Sequence, residues 1–149
     1  REAPMQFEDS IFIAAPVSAV WKCLMDNDSL QSAIPGCSSI TRKPEGGLNV
    51  ALDLKLGFVQ KKVVAHLQRK DIEKAQSLTF IGKIGSKHSG NCAVSLTPEG
   101  EGTRLAYVVS AEVGIGKSGL GAFVLKNTAK KLIGDFIGRL GKLAITTAA

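Results

Sequence analysis

At 149 residues, with 44% hydrophobic, 21% charged and only 5% aromatic residues, the chain has the composition of one globular domain with a largely aliphatic interior. It contains no run of roughly 18 apolar residues, which argues against a membrane-spanning helix. The net charge of +6 is uneven: residues 1–114 hold 13 basic and 12 acidic groups, whereas residues 115–149 hold 6 and 1. A basic closing segment without interleaved aromatics or a groove-reading motif argues against nucleic acid and for an anionic membrane surface or an acidic protein.

In chain order, Arg1–Pro4 read as a tail and residues 5–149 as a single domain. Met5–Ile13 alternates as a half-buried strand, with Phe7, Ile11 and Ile13 on its apolar side. Ala15-Pro16 opens a short helix whose inward face is Val17, Val20, Trp21, Leu24 and Met25. Asp26-Asn27-Asp28-Ser29 ends it and caps a second helical piece, which runs through Ile34 and stops at Pro35-Gly36.

From Cys37 to Val113 the apolar period becomes two. Leu48 to Leu56 is the clearest strand; Val59, Val63, Ala65 and Leu67 follow, then Leu78, Phe80 and Ile84, then Cys92, Val94 and Leu96, and finally Leu105 to Val113. About six hairpin-linked strands result, each with one apolar face that needs a cover. Glycines at 57, 82, 85 and 90 are expected to mark bulges and bends. The cover is the stretch 118–144, a long helix with Ala122, Leu125, Ala129, Leu132, Phe136, Leu140 and Leu143 as its stripe. Gly134, Gly138 and Gly141 flank that stripe, for close packing on the sheet or as a soft point in the helix. A bent sheet gripping one helix, filled only by aliphatic side chains, predicts an apolar cavity beneath the helix.

Few residues inside such a cavity could do chemistry. Tyr107 and Lys61 are the polar residues read on inward parities, with Lys61 placed near an open end. Asp53, Glu112, His66 and His88 are read on the other parity. No acid–base pair, nucleophile–base pair or metal-ligand spacing emerges, so no catalytic residue or metal is expected. Cys23, Cys37 and Cys92 are odd in number and widely spaced, which suits a reducing, cytoplasmic setting. The stretch Ala111–Ser118 ends in Gly116-Lys117-Ser118 and imitates a phosphate-binding loop. Such a loop belongs to a parallel sheet with a later strand supplying an aspartate, and nothing but one helix follows it here.

The layout resembles the helix-grip fold of the START/Bet v 1-like (SRPBCC) superfamily, an α+β arrangement of about seven antiparallel strands around a long C-terminal helix, with two short helices after the first strand. Within it, Ile13-Ala14-Ala15-Pro16 with Val20-Trp21, Leu24 and Asp26, then Ile34-Pro35-Gly36-Cys37, and Gly102-Thr103-Arg104-Leu105 with Tyr107 resemble the branch formed by the CoxG subunit of carbon monoxide dehydrogenase. Gly114-Ile115-Gly116-Lys117-Ser118 departs from that pattern, and relatives often continue into a linker and membrane-seeking tail, so a short or truncated form is expected.

The resemblance implies a non-catalytic accessory protein of a molybdenum carbon monoxide dehydrogenase or related hydroxylase, peripheral on the inner face of the cell membrane. No covalent cofactor is implied; the expected bound molecule is an isoprenoid quinone or similar lipid. The expected cavity wall is Trp21, Leu30, Ile34, Leu52, Leu54, Val63, Leu67, Phe80, Tyr107, Phe123, Leu132, Phe136 and Leu140. The expected docking surface for membrane or enzyme is Lys117, Lys126, Lys130 and Lys131. The rival readings are a ligand-free recruitment adaptor and a small cyclase- or dehydratase-like enzyme.

Overall fold

The computed structural model describes residues 5–56, 59–85, 88–113 and 119–148, and of these the side chains of residues 54–56, 59, 113 and 119–125 lie outside the description. The elements are β1 (Met5–Ile13), α1 (Val17–Met25), α2 (Asn27–Ala33), β2 (Cys37–Arg42), β3 (Leu48–Leu56), β4 (Val59–Glu73), β5 (Ser77–Ile84), β6 (His88–Glu99), β7 (Gly102–Val113) and α3 (Gly119–Ala148). All strands pair antiparallel in one seven-stranded sheet ordered β1-β7-β6-β5-β4-β3-β2. This is the helix-grip fold, with α3 packed over the concave face beside α1, α2 and β1.

Two short sequence words hold the ends of this arrangement. Gly36 takes φ +75°, and a Cβ there would collide with the carbonyl of Asp53, so only glycine lets the chain leaving α2 come this close to β3. The contact is then closed by Asp53 N–H donating to Gly36 O at 2.8 Å. At the other end of the molecule, Gly102 lies against the backbone of Ile13 and the ring of Phe12 with no room for a side chain. Its neighbour Thr103, fully buried, donates from Oγ1 to Ala15 O at 2.8 Å. Arg104 pairs with Glu99 at 2.9 Å and sits over the Phe12 ring at 6.0 Å. The Gly-Thr-Arg-Leu word is therefore a joint between β7 and the β1–α1 connection.

The glycine expectation is corrected in one respect. Gly82 and Gly90 pair with each other in continuous register, and the register shifts fall instead at Cys37/Ser39 and Lys70/Glu73. Gly85, at φ +63°, is a turn residue; Gly57 lies outside the described residues. On α3, a Cβ at Gly141 would press on Ile13, whereas Gly134 and Gly138 face open space.

Candidate functional site

The site follows from what each row of the sheet carries on its concave face. One row runs Met5, Ala111, Gly90, Gly82, Leu67 and Leu48 across β1, β7, β6, β5, β4 and β3. Its three central positions have almost no side chain. The next row, Phe7, Val109, Cys92, Phe80 and Arg69, is bulky. Further along, Leu105 and Leu96 are paired and buried in the core, on the two strands that α1 packs against. The concave face is thus filled at one end and empty over the small-residue row.

An apolar cavity of about 380 Å³ occupies that empty region. Its roof is Ala129, Leu132, Ile133 and Phe136 of α3, its side Leu30, Ile34 and Pro35 at the exit of α2, and its floor Leu52, Ala65, Leu67, Phe80, Cys92 and Val109. Met5, Gly82, Lys83, Ile84, His88, Ser89, Gly90, Asn91, Ser110 and Ala111 complete the lining. Phe80 and Phe136 meet edge to face, with centroids 6.3 Å apart, and tie the roof to the floor. Burial in this hydrocarbon pushes the Cys92 thiol up to about 12, so it is a neutral wall group and no nucleophile.

Of the residues expected on the wall, Leu30, Ile34, Leu52, Leu67, Phe80, Leu132 and Phe136 line this cavity. Trp21, Val63, Tyr107 and Leu140 do not. Tyr107 and Leu140 are buried in the filled end, where Tyr107 pairs with Val94 and Asp9, and Trp21 packs half-buried against the core. Val63, opposite Leu52, is half-buried outside the cavity. The physical reason is common to these: periodicity selects a face of a strand or helix and not a position along it. Burial, with Asp9 and Cys92 nearby, raises the Tyr107 hydroxyl above its ordinary range. The side chains of Leu54 and Phe123 lie outside the described residues.

One parity assignment needs correction. His88 shares the face of Gly90 and Cys92, because β6 is in unbroken register with β5 and β7, and it lines the cavity. His66 does face outward, with Nδ1 2.8 Å from Asn49 Oδ1. Lys61, opposite Leu54 on β4, is exposed.

A polar residue on the concave face escaped the sequence reading altogether. Arg69 continues the parity of Ala65 and Leu67, since β4 runs unbroken to Lys70, and a count carried past Leu67 would have found it. Its Nε donates to Leu24 O and its Nη1 to Asn27 Oδ1, both at 3.1 Å, tying the α1–α2 junction to the sheet. Its guanidinium stands over the Phe80 ring at 5.9 Å. Burial lowers its pKa, an effect that Asp26 opposes and Arg42 reinforces. It borders a second, polar cleft of about 760 Å³ lined by Asp26, Asn27, Asp28, Arg42, Lys43 and the β2–β3 turn; Leu67 lines both spaces.

The docking lysines are not equivalent. Lys130 and Lys131 are exposed, Lys126 is half-buried, and Lys117 lies outside the described residues. Lys131 Nζ donates to Asp135 Oδ2 at 3.1 Å one turn along the helix. The phosphate-loop imitation at 114–118 also lies outside the described residues. Among the described residues no cluster of three or more histidines, cysteines or carboxylates could hold a metal, and no helix is long and apolar enough to cross a membrane.

Known proteins share both the fold and parts of the sequence. A conserved protein of Geobacillus kaustophilus is 29% identical, with a TM-score of 0.84 over 97% of each chain. TTHA0849 of Thermus thermophilus is 16% identical with a TM-score of 0.75, over 97% of this chain and 99% of that one. The di-domain aromatase/cyclase StfQ of the steffimycin biosynthetic pathway is 16% identical with a TM-score of 0.72, over 98% of this chain and 52% of that one. A sequence search of curated proteins returned no significant match. Residues 10–144 match the family of the CoxG subunit of carbon monoxide dehydrogenase. The words that hold the fold together, Ile34-Pro35-Gly36-Cys37 and Gly102-Thr103-Arg104-Leu105, fall within that match, and the chain belongs to the CoxG family of the START-like superfamily.

Proposed function

We propose that the protein is a non-catalytic accessory protein that holds a lipophilic molecule, an isoprenoid quinone or similar lipid, under α3. In this role it serves a molybdenum carbon monoxide dehydrogenase or related hydroxylase at the membrane. The observation that carries the reading is the apolar cavity of about 380 Å³, within the size range of small-molecule sites and floored by a row of small residues rather than by packing defects. A space of this size takes one end of such a molecule, and the remainder would extend outside it. The family's description as a carbon monoxide dehydrogenase subunit supports that enzyme as the partner. The basic surface at Lys130 and Lys131 is the proposed contact with anionic lipid.

A cyclase-like activity is the second reading, favoured by the similarity in fold to an aromatase/cyclase and by His88 on the cavity wall. Such chemistry needs a second acid or base within reach of the substrate, and the rest of the described wall is nearly all hydrocarbon.

The deciding experiment is native mass spectrometry with lipid extraction after expression in a quinone-producing host. Co-purification of a quinone or lipid in near-stoichiometric amount is the expected result. A protein that stays empty across quinones and lipids would sink the carrier reading. Binding to anionic vesicles should fall with salt and with Lys130→Glu plus Lys131→Glu; binding indifferent to both would remove the membrane part.

A further inference from the structure

Arg69 is held in a way that its structural role does not exhaust. A guanidinium carries five N–H donors. Nε and Nη1 engage the α1–α2 junction, while Nη2 is buried and has no hydrogen-bond partner. Among the described residues no carboxylate lies within ion-pair distance of it. Asp26 is occupied as the cap of α2, its Oδ2 accepting from Ser29 N at 3.0 Å and from Ser29 Oγ at 2.8 Å, and Lys43 of the adjoining cleft pairs with Glu45. Buried donors of this kind are normally satisfied, and one that is not points to a missing acceptor.

The location says what kind of acceptor. Arg69 stands over Phe80, which lines the cavity floor, and two residues back along β4 is Leu67, which lines both the apolar cavity and the polar cleft. The bulky row thus ends in a cation that lines the cleft, with Leu67 and Phe80 between it and the apolar cavity.

We propose that Arg69 is the polar anchor of the ligand. Its Nη2 donates to a carbonyl or carboxylate oxygen on the inner end of an amphipathic molecule, which reaches it past Leu67 and whose apolar part lies over the Gly82–Gly90–Ala111 row. The head is held at Arg69 and the tail points out. This rests on the carrier reading and adds the ligand's head chemistry and orientation to it.

The test compares three probes on the whole chain. N-phenyl-1-naphthylamine fluorescence reports occupancy of the apolar space, decylubiquinone supplies a carbonyl head and palmitate a carboxylate head. Arg69→Met should weaken decylubiquinone, palmitate or both by about ten-fold or more, while affinity for N-phenyl-1-naphthylamine changes by less than about three-fold. Loss confined to palmitate assigns an anionic head; loss of both assigns the shared oxygen acceptor. Asn27→Ala removes a clamp partner but leaves Nη2, and should preserve the preference for headed over headless probes. Equal weakening of all three probes by Arg69→Met, or the same loss of preference in Asn27→Ala, would reduce Arg69 to a structural clamp and overturn the proposal. Failure of every probe to bind the wild type would instead overturn the carrier reading beneath it. The Arg69 guanidinium ¹⁵N resonances of the wild type settle the matter should Arg69→Met not fold. They should move on adding a headed probe and not with N-phenyl-1-naphthylamine; no movement with any bound probe would reject the anchor.

Discussion

The two ends of α3 lie over the same sheet and meet opposite conditions. Toward its C-terminus, Ile137, Leu140 and Ala144 are at most 1% exposed and belong to a filled core that includes Ile13 and Leu105. About two turns earlier, Ala129, Leu132, Ile133 and Phe136 face a floor from which Gly82, Gly90 and Ala111 have withdrawn their side chains. The helix is apolar at both ends, so hydrophobicity does not distinguish them; the volume of the opposing residues does. The filled end supplies packing contacts and anchors the fold, and the hollow end gives up those contacts to keep space. A domain of this size can leave part of its core empty because the other part is dense.

The sharpest way to break this comparison is to truncate the same residue type at both ends. Leu140→Ala should destabilise by about 3–5 kcal/mol, since it opens a void in close-packed surroundings. Leu132→Ala, which borders existing space, should cost only about 1 kcal/mol, read by urea unfolding. Equal losses would mean that the cavity is not empty in solution.

A second effect is pH-dependent. The Cys92 thiol holds its proton to about 12 in the folded state, against an ordinary 9.0. The folded state therefore binds more protons than the unfolded one across that window. This contribution is whole below pH 9.0 and is lost as pH rises toward 12, with a slope of up to about 1.4 kcal/mol per pH unit. Burial also raises the Cys37 thiol, so the comparison is between wild type and Cys92→Ala, whose stability curve should be flatter above pH 9.0. Identical alkaline slopes would show that the cavity wall is wetter than its lining implies.

Thr103→Val removes the Oγ1 donor to Ala15 O within the filled end and should cost about 1–2 kcal/mol in thermal or urea unfolding, with no effect on ligand uptake. The smallest change in stability, and the largest in function, is expected at Gly82. An added Cβ there meets its nearest atoms at 3.8 Å, so Gly82→Val fits the strand and fills the hollow end. Stability should change by less than about 1 kcal/mol while uptake of N-phenyl-1-naphthylamine drops by about ten-fold or more. Undiminished uptake would place the ligand elsewhere.

Much of the fold was legible in order along the chain. The strand parities from Leu48 to Val113 and the helical stripe ending at Leu143 specify faces, because side-chain direction follows from backbone geometry within a few residues. The cap at Asp26 and the turn at Pro35-Gly36 were readable for the same local reason. The site was legible only as a face: Leu30, Ile34, Leu52, Leu67, Phe80, Leu132 and Phe136 line the cavity, while Tyr107 and Leu140, on the same faces, are core. Arg69 and His88 were missed through counting parity too short on one strand and misreading it on another, errors that the register corrects.

The sequence by itself determined which side of each element is apolar, where the elements end, and that one basic helix must cover an aliphatic sheet. Only the tertiary structure decided where the space lies. Whether a row of small residues leaves a hollow depends on which residues of six strands and one helix come to stand opposite each other. It aligned Ala111, Gly90 and Gly82 in one row of the cavity floor and brought Arg69, with one nitrogen unsatisfied, over the Phe80 ring. Cavities are set by volume summed over residues distant in the chain, and no local rule carries that sum.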